Sequence, residues 1–161
     1  MIRYAKPSDH PTIRNVVAAA FERTDEADLV ERLRADGDAM FELVEIDGET
    51  LVGHILFSRM WADSLNLYAA LAPVSVRPDL QKCGTGGRLI RAGLDSAKEF
   101  GAAAVILLGH PAYYPRFGFS TEAARNLKCA FSGSPAFMAK AIEPGALDQP
   151  LTVVYPDAFG V

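Results

Sequence analysis

Half of the 161 residues are hydrophobic, 22% are charged and the formal net charge is −4. This is enough apolar material for one sizeable core; it argues against disorder and leaves no basic surface for nucleic acid. Cys83 and Cys129 occur without a CxxC pair or a histidine at metal-ligand spacing, so neither a metal site nor a disulfide framework is expected and the cytoplasm is the default compartment. The first residues lack the apolar run of a signal peptide, and the longest apolar run, Ala102 to Leu108, is too short to span a bilayer. One domain, residues 1–161, is expected, with no membrane association and either a monomer or a homodimer.

In chain order, Ile2 to Ala5 suits a short strand, and Pro7-Ser8-Asp9 supplies capping oxygens to a helix whose apolar residues Ile13, Val16, Val17, Ala20 and Phe21 fall on one face. Thr24 is placed to cap a second helix, with Asp25 and Glu26 at its positive end and Leu29, Val30 and Leu33 as its buried stripe, ending near Asp36-Gly37. The period then changes from 3.6 to 2. Met40 to Ile46 and Leu51 to Ser58 flank Asp47-Gly48-Glu49, a hairpin signal. Arg59 to Leu65, with Trp61 near its start, reads as a loop. Asn66 to Val76 is a third strand, interrupted by Pro73, which donates no ladder hydrogen bond and predicts a bulge or a locally unpaired edge there.

The stretch from Val74 to Ile90 is the most informative. An alternating apolar run stops at Arg77-Pro78-Asp79, passes through Gly84, Gly86 and Gly87, and enters a helix carrying Arg88 and Arg91. Glycines let the backbone approach a ligand and the free N–H groups at a helix start point at it, so this is the layout of an anion site, read here as a cradle for the pyrophosphate of a nucleotide-bearing cofactor. Leu89, Ile90, Gly93, Leu94, Ala97 and Phe100 form one face of the helix, and Gly101 ends it. Ala102 to Leu108 then reads as an interior strand parallel to the one before the loop. Gly109 to Phe119 is an aromatic-rich turn or short helix, and Leu127 to Phe131, Phe137 to Ile142 and Leu151 to Tyr155 read as further strands. These elements make an α/β fold with a mixed sheet.

A Walker P-loop is ruled out by the lack of Gly-Lys-Ser/Thr, and a dinucleotide GxGxxG by Leu89. Gln81-Lys82-Cys83-Gly84-Thr85-Gly86 instead matches the Gln/Arg-x-x-Gly-x-Gly/Ala signature of the GNAT superfamily of N-acetyltransferases. Val74-Ser75-Val76-Arg77-Pro78 resembles the strand before that signature. Tyr114-Pro115-Arg116-Phe117-Gly118-Phe119 resembles the later motif in which a tyrosine stands four residues before Gly-Phe. The likeness extends down to about Phe119. It implies a mixed, mostly antiparallel sheet with helices on both faces, splayed between two central parallel strands, and acetyl-CoA as the cofactor. It also implies that the backbone of Cys83, Gly84, Thr85, Gly86, Gly87 and Arg88 holds the pyrophosphate, and that pantetheine pairs with Val74 and Val76. Lys82 and Arg88 add charge attraction, or serve only as solvated surface residues.

Acyl transfer from a thioester to an amine needs a neutral amine, donors for the oxyanion and a proton for the departing thiolate. Tyr114 is the best proton donor, a phenol still protonated at pH 7, and the family places its general acid at this motif position; Tyr113 is the neighbouring alternative. No base stands out among His54, His110, Glu22, Glu42 and Ser75, and a water chain serves as well. Trp61, Phe21 and Met60 are candidate walls for the acceptor. The expected activity is transfer of acetyl to a primary amine of a small molecule or peptide by direct attack in a ternary complex. A non-catalytic acyl-CoA-binding regulatory module is the alternative.

Overall fold

The chain opens with a three-residue strand, β1 (Ile2–Tyr4), and a 3-10 turn at Pro7–Asp9. Asp9 closes the turn by accepting the Lys6 N–H at 2.7 Å and a two-pronged bond from Arg3 at 2.7 and 3.0 Å. Helices α1 (His10–Phe21) and α2 (Asp25–Ala35) follow, burying Ile13, Val16 and Val17 from the first and Ala27, Val30 and Leu33 from the second. Thr24 precedes α2 as expected but makes no side-chain cap, and the helix dipole is complemented by acidic residues in the first turn and by Arg32 and Arg34 in the last. Gly37, at φ 75°, ends the helix.

Strands β2 (Ala39–Asp47) and β3 (Thr50–Ala62) form the expected hairpin through Gly48 at φ 64°. After β4 (Leu67–Val76), a 3-10 turn at Pro78–Leu80 leads to α3 (Thr85–Glu99), β5 (Ala102–Leu108) and a 3-10 turn at Tyr114–Phe117. β6 (Leu127–Lys128), β7 (Phe137–Ala141) and β8 (Leu151–Val154) complete the sheet.

The computed structural model describes all 161 residues and divides into two compact units. The first, Met1–Ser58 with Ala72–Gly93, carries strands in the order β1-β2-β3-β4, with β1 and β3 antiparallel to β2. Alternation sends successive β3 residues to opposite faces. Gly53 and Phe57 face α3: a Cβ on Gly53 would lie 2.9 Å from Leu89 and Thr85, and one on Gly93 would overlap the Phe57 ring. His54 faces the other way and joins Glu42 of β2 and Arg34 of α2. Helices therefore cover both faces, as the family resemblance implied.

The second unit, Arg59–Leu71 with Leu94–Val161, holds β4, β5 and β7 in that order. β5 is parallel to β4 over Leu67–Ala70 and antiparallel to β7. Its core gathers Met60, Tyr68, Ile106, Phe137, Leu147, Val153 and Tyr155.

At Pro73 the unpaired edge is the alternative that occurs: pairing of β4 to β5 ends at Ala70↔Ile106 while the strand runs on through the proline to Val76. Three further expectations need correction. Arg59 to Leu65 is not all loop, because β3 continues to Ala62, where Trp61 and Ala62 pair with Val154 and Val153 of β8. Phe100 is 48% exposed and lies off the buried face of α3. The strand begun at Leu127 stops after Lys128, since Ser132 Oγ accepts the Cys129 N–H at 2.9 Å and donates to Leu127 O at 2.8 Å, turning the chain.

The buried Arg34–Glu42–His54 group is the main polar feature of the first unit. Arg34 donates twice to Glu42 at 2.8 Å, and Glu42 Oε1 lies 2.7 Å from His54 Nε2. Burial alone would raise the Glu42 pKa; the bonds from His54 and Arg34 overcome it and hold the carboxyl at about 2. The His54 pKa is lowered, chiefly by burial. A neutral imidazole beside a carboxylate, which only accepts, must carry its proton on Nε2, leaving Nδ1 as a buried acceptor with no partner.

Two outcomes follow from this packing. Gly93→Ala gains about 1 kcal/mol of helix propensity and loses more to overlap with the fully buried Phe57. A net loss of about 1–2 kcal/mol, or about 3–6 °C in Tm, is expected in thermal unfolding, with relief in Gly93→Ala/Phe57→Leu. Stability should also fall on acidification. His54 is neutral when folded and takes up a proton on unfolding below its ordinary pKa of 6.5; Glu42 stabilises fully above 4.5 and loses that contribution as pH falls toward 2. Denaturation midpoints across a pH series should show both segments, and His54→Gln, whose amide can still donate to Glu42, should flatten the upper one and keep most of the lower.

Candidate functional site

The glycine loop of the first unit is built by two residues in the left-handed region, Lys82 at φ 65° and Gly84 at φ 90°. They reverse the chain so that α3 starts at Thr85. The first bond of its ladder runs from Arg88 N–H to Gly84 O at 3.0 Å, so the N–H groups of Thr85, Gly86 and Gly87 stand ahead of the ladder at the positive end of a fifteen-residue helix. Thr85 is buried and anchors this turn against Gly53. Here the residues fit a phosphate: donors are grouped, and the space beside Gly84 is one that a Cβ would fill, 3.2 Å from Arg88 Nη1.

The side chains of the loop have unequal parts. Gln81 turns back and donates from Nε2 to Val76 O at 3.1 Å, tying the loop to the end of β4. Cys83 is exposed, with Sγ 3.7 Å from Gln81 O. Arg88 is paired with Glu45 at 2.8 and 3.1 Å; nothing in the sequence marked Glu45, whose partner lies 43 residues away. Val74 and Val76 are half-buried on β4 beyond the end of its pairing to β5, with Ser75 buried between them. Thus Val74, Val76 and the residues from Gln81 to Arg88 all belong to one unit.

Tyr114 belongs to the other unit and opens the 3-10 turn, with Pro115 in the first turn, where its missing N–H costs nothing. Its ring lies edge-on to Phe119 at 6.0 Å and to Tyr113 at 5.2 Å, and it covers Gly109 so closely that a Cβ there would overlap it. Gly109 is therefore a further requirement of the tyrosine seat; its spacing of five residues from Tyr114 is the only sequence trace. Lys140 Nζ fixes the end of the turn by donating to Phe117 O at 2.9 Å. Burial first, and then the neighbouring Tyr113, push the Tyr114 phenol up to about 12. Tyr113 itself is stacked under Arg116, whose guanidinium carbon lies 4.6 Å from its ring centre.

Among the residues considered as bases, His54 and Glu42 are bonded to each other in the core, Ser75 is buried, and Glu22 and His110 are exposed. Of the proposed acceptor walls, Met60 is core, whereas Phe21 and Trp61 are 38% and 45% exposed. Trp61 lies under Arg59, 5.4 Å from ring centre to guanidinium carbon.

Comparison with known proteins identifies the family. The model of the acetyltransferase (GNAT) family matches residues 10–119. The N-acetyltransferase YhbS of Escherichia coli is 37% identical over 151 residues, covering 92% of this chain and 90% of that protein, and YjhQ of the same species is 44% identical over 119 residues, covering 70% and 65%. Among solved structures, YhbS in complex with CoA superposes with a TM-score of 0.91 at 35% identity, covering 100% of this chain and 92% of the other. A GNAT family acetyltransferase from Brucella melitensis in complex with acetyl-CoA gives 0.82 at 34% identity, covering 99% and 97%. No helix of the chain is long and apolar enough to cross a membrane. With the glycine loop, the parallel β4–β5 pair and the tyrosine motif all in the matched order, the chain belongs to the GNAT family of acetyltransferases.

Proposed function

We propose that the whole chain, residues 1–161, acts as one cytoplasmic acyltransferase domain that moves the acetyl group of acetyl-CoA to a primary amine of a small molecule or peptide. The observation that carries this is the loop from Lys82 to Arg88, whose two left-handed residues leave the N–H groups of Thr85, Gly86 and Gly87 ahead of the α3 ladder. These groups bind the pyrophosphate of the acetyl donor. The strand end at Val74 and Val76 pairs with the pantetheine amides, which satisfy backbone groups where β4 has run beyond β5.

In the ternary complex the neutral amine attacks the thioester carbonyl, a backbone N–H near Val74 holds the oxyanion, the C–S bond breaks, and Tyr114 gives its phenolic proton to the leaving thiolate. A phenol near 12 is protonated at any working pH. The burial that weakens it as an acid also raises the basicity of a thiolate formed beside it, so the transfer is less uphill than the phenol alone suggests. The amine proton leaves through water, since His54 and Glu42 are spent on each other in the core.

Free thiol should be released from acetyl-CoA when the protein meets one member of a panel of amines, amino acids and peptides. With that acceptor Tyr114→Phe should lower kcat about 10²-fold while the Kd for acetyl-CoA holds; unchanged turnover would remove the acid role. Binding of acetyl-CoA with no release from any amine would leave a binding module and no enzyme. Separately, Gly84→Val forces a branched side chain into φ 90° against Arg88. It should raise the acetyl-CoA Kd by about tenfold or more, and retained affinity would sink the phosphate role of the loop.

A further inference from the structure

Arg88 is held from one side only. Its Nε and Nη2 donate to the two carboxylate oxygens of Glu45 at 2.8 and 3.1 Å, and Nη2 also reaches Thr85 Oγ1 at 3.1 Å. The Glu45 side chain is 9% exposed and that of Arg88 52%, so a sunken carboxylate carries a guanidinium at the solvent edge. The third nitrogen, Nη1, lies beside Gly84, 3.2 Å from where a Cβ would stand. A cleft of about 290 Å³ opens at this place, lined by Glu45, Asp47, Val52, Cys83, Thr85 and Arg88 among others.

We propose that Glu45 is a positioning residue for the acetyl donor: it locks Arg88 with Nη1 aimed at the glycine loop, so that the guanidinium donates to the same pyrophosphate as the N–H groups of Thr85, Gly86 and Gly87. This rests on the acetyl-CoA reading above. Two effects of Glu45 oppose each other. Its charge offsets that of Arg88 at long range, which weakens attraction for phosphate; its two bonds remove the rotational freedom of a long side chain, which strengthens directed binding. The carboxylate sits on the Nε/Nη2 edge, both oxygens already bonded, while Nη1 lies beside Gly84. Its repulsion is therefore muffled by its own partner, and orientation wins. Asp47 supplies an internal control, because it lines the same cleft as a second carboxylate without holding Arg88.

Calorimetric titration of the full chain with CoA, 3′-dephospho-CoA and pantetheine separates the contributions. Glu45→Ala and Arg88→Met should each raise the Kd of CoA and of 3′-dephospho-CoA about tenfold and leave pantetheine, which has no phosphate, unchanged. The double variant should be no worse than either single one. Glu45→Gln keeps one acceptor oxygen and should fall between, which also preserves the test if the alanine variant folds poorly. Asp47→Asn should bind CoA as well as or better than the parent. Glu45→Ala binding CoA equally or more tightly would overturn the proposal, as would pantetheine weakening in step, single losses that add in the double variant, or a loss confined to CoA and absent for the dephospho form. A parent protein that binds none of the three would instead refute the acetyl-CoA reading itself.

Discussion

The close seating of α3 on β3 is the constraint on which the rest of the molecule's chemistry depends. Gly53 and Gly93 sit where side chains from the other element occupy the space of a Cβ, with Leu89 and Thr85 against the first and Phe57 against the second. Without these two glycines the helix would ride higher on the strand. Thr85, the residue that packs against Gly53, is also the first residue of the helix and part of the glycine loop. The height of the helix above the sheet therefore sets the height of the N–H groups of Thr85, Gly86 and Gly87. A packing detail in the core becomes the geometry of the N–H groups proposed to bind phosphate.

Charge in the first unit is arranged around β2. Glu42 turns to α2 and β3, where Arg34 and His54 bond it; Glu45 turns to α3, where it pairs with Arg88, which also donates to Thr85. Each carboxylate is nearly covered and each is compensated by a guanidinium, as buried charge requires. The two groups differ in what lies beyond them. His54 ends in a buried, unpartnered Nδ1 and leads nowhere accessible, so the Arg34–Glu42–His54 group reads as core structure with an acid-sensitive charge. Arg88 is half-exposed at the edge of a cleft, and only there does a buried carboxylate have a route to influence a ligand.

The second unit treats its aromatic residues in the same graded way. Tyr68 and Phe119 are core, while Tyr114 is seated between Gly109, Phe119 and Tyr113. The seat explains why the phenol is a weak acid: it is desolvated by neighbours that offer no charge to stabilise a phenolate.

Much of this was legible in the residues taken alone. Helical spacing marked α1, α2 and α3; Asp47-Gly48 marked the hairpin; the continuous apolar run marked β5 as interior; and Gln81 to Gly86 with Tyr114 to Phe119 marked the family. Such signals are local, since each rests on the period of side chains along one element or on a backbone conformation that few residues adopt. Tertiary structure alone decided the rest, because it depends on partners far apart in the chain. Trp61 and Ala62 lie in β3, paired with Val154 and Val153 from near the C-terminus, and Phe100 lies half-exposed just past the end of α3. Arg88, which the sequence left as either a charge for phosphate or a solvated surface residue, is bound to a glutamate 43 residues earlier. Ion pairing and strand pairing across such distances leave no periodic trace, so the sequence offered a ligand class for the loop but no sign of the glutamate that holds its arginine.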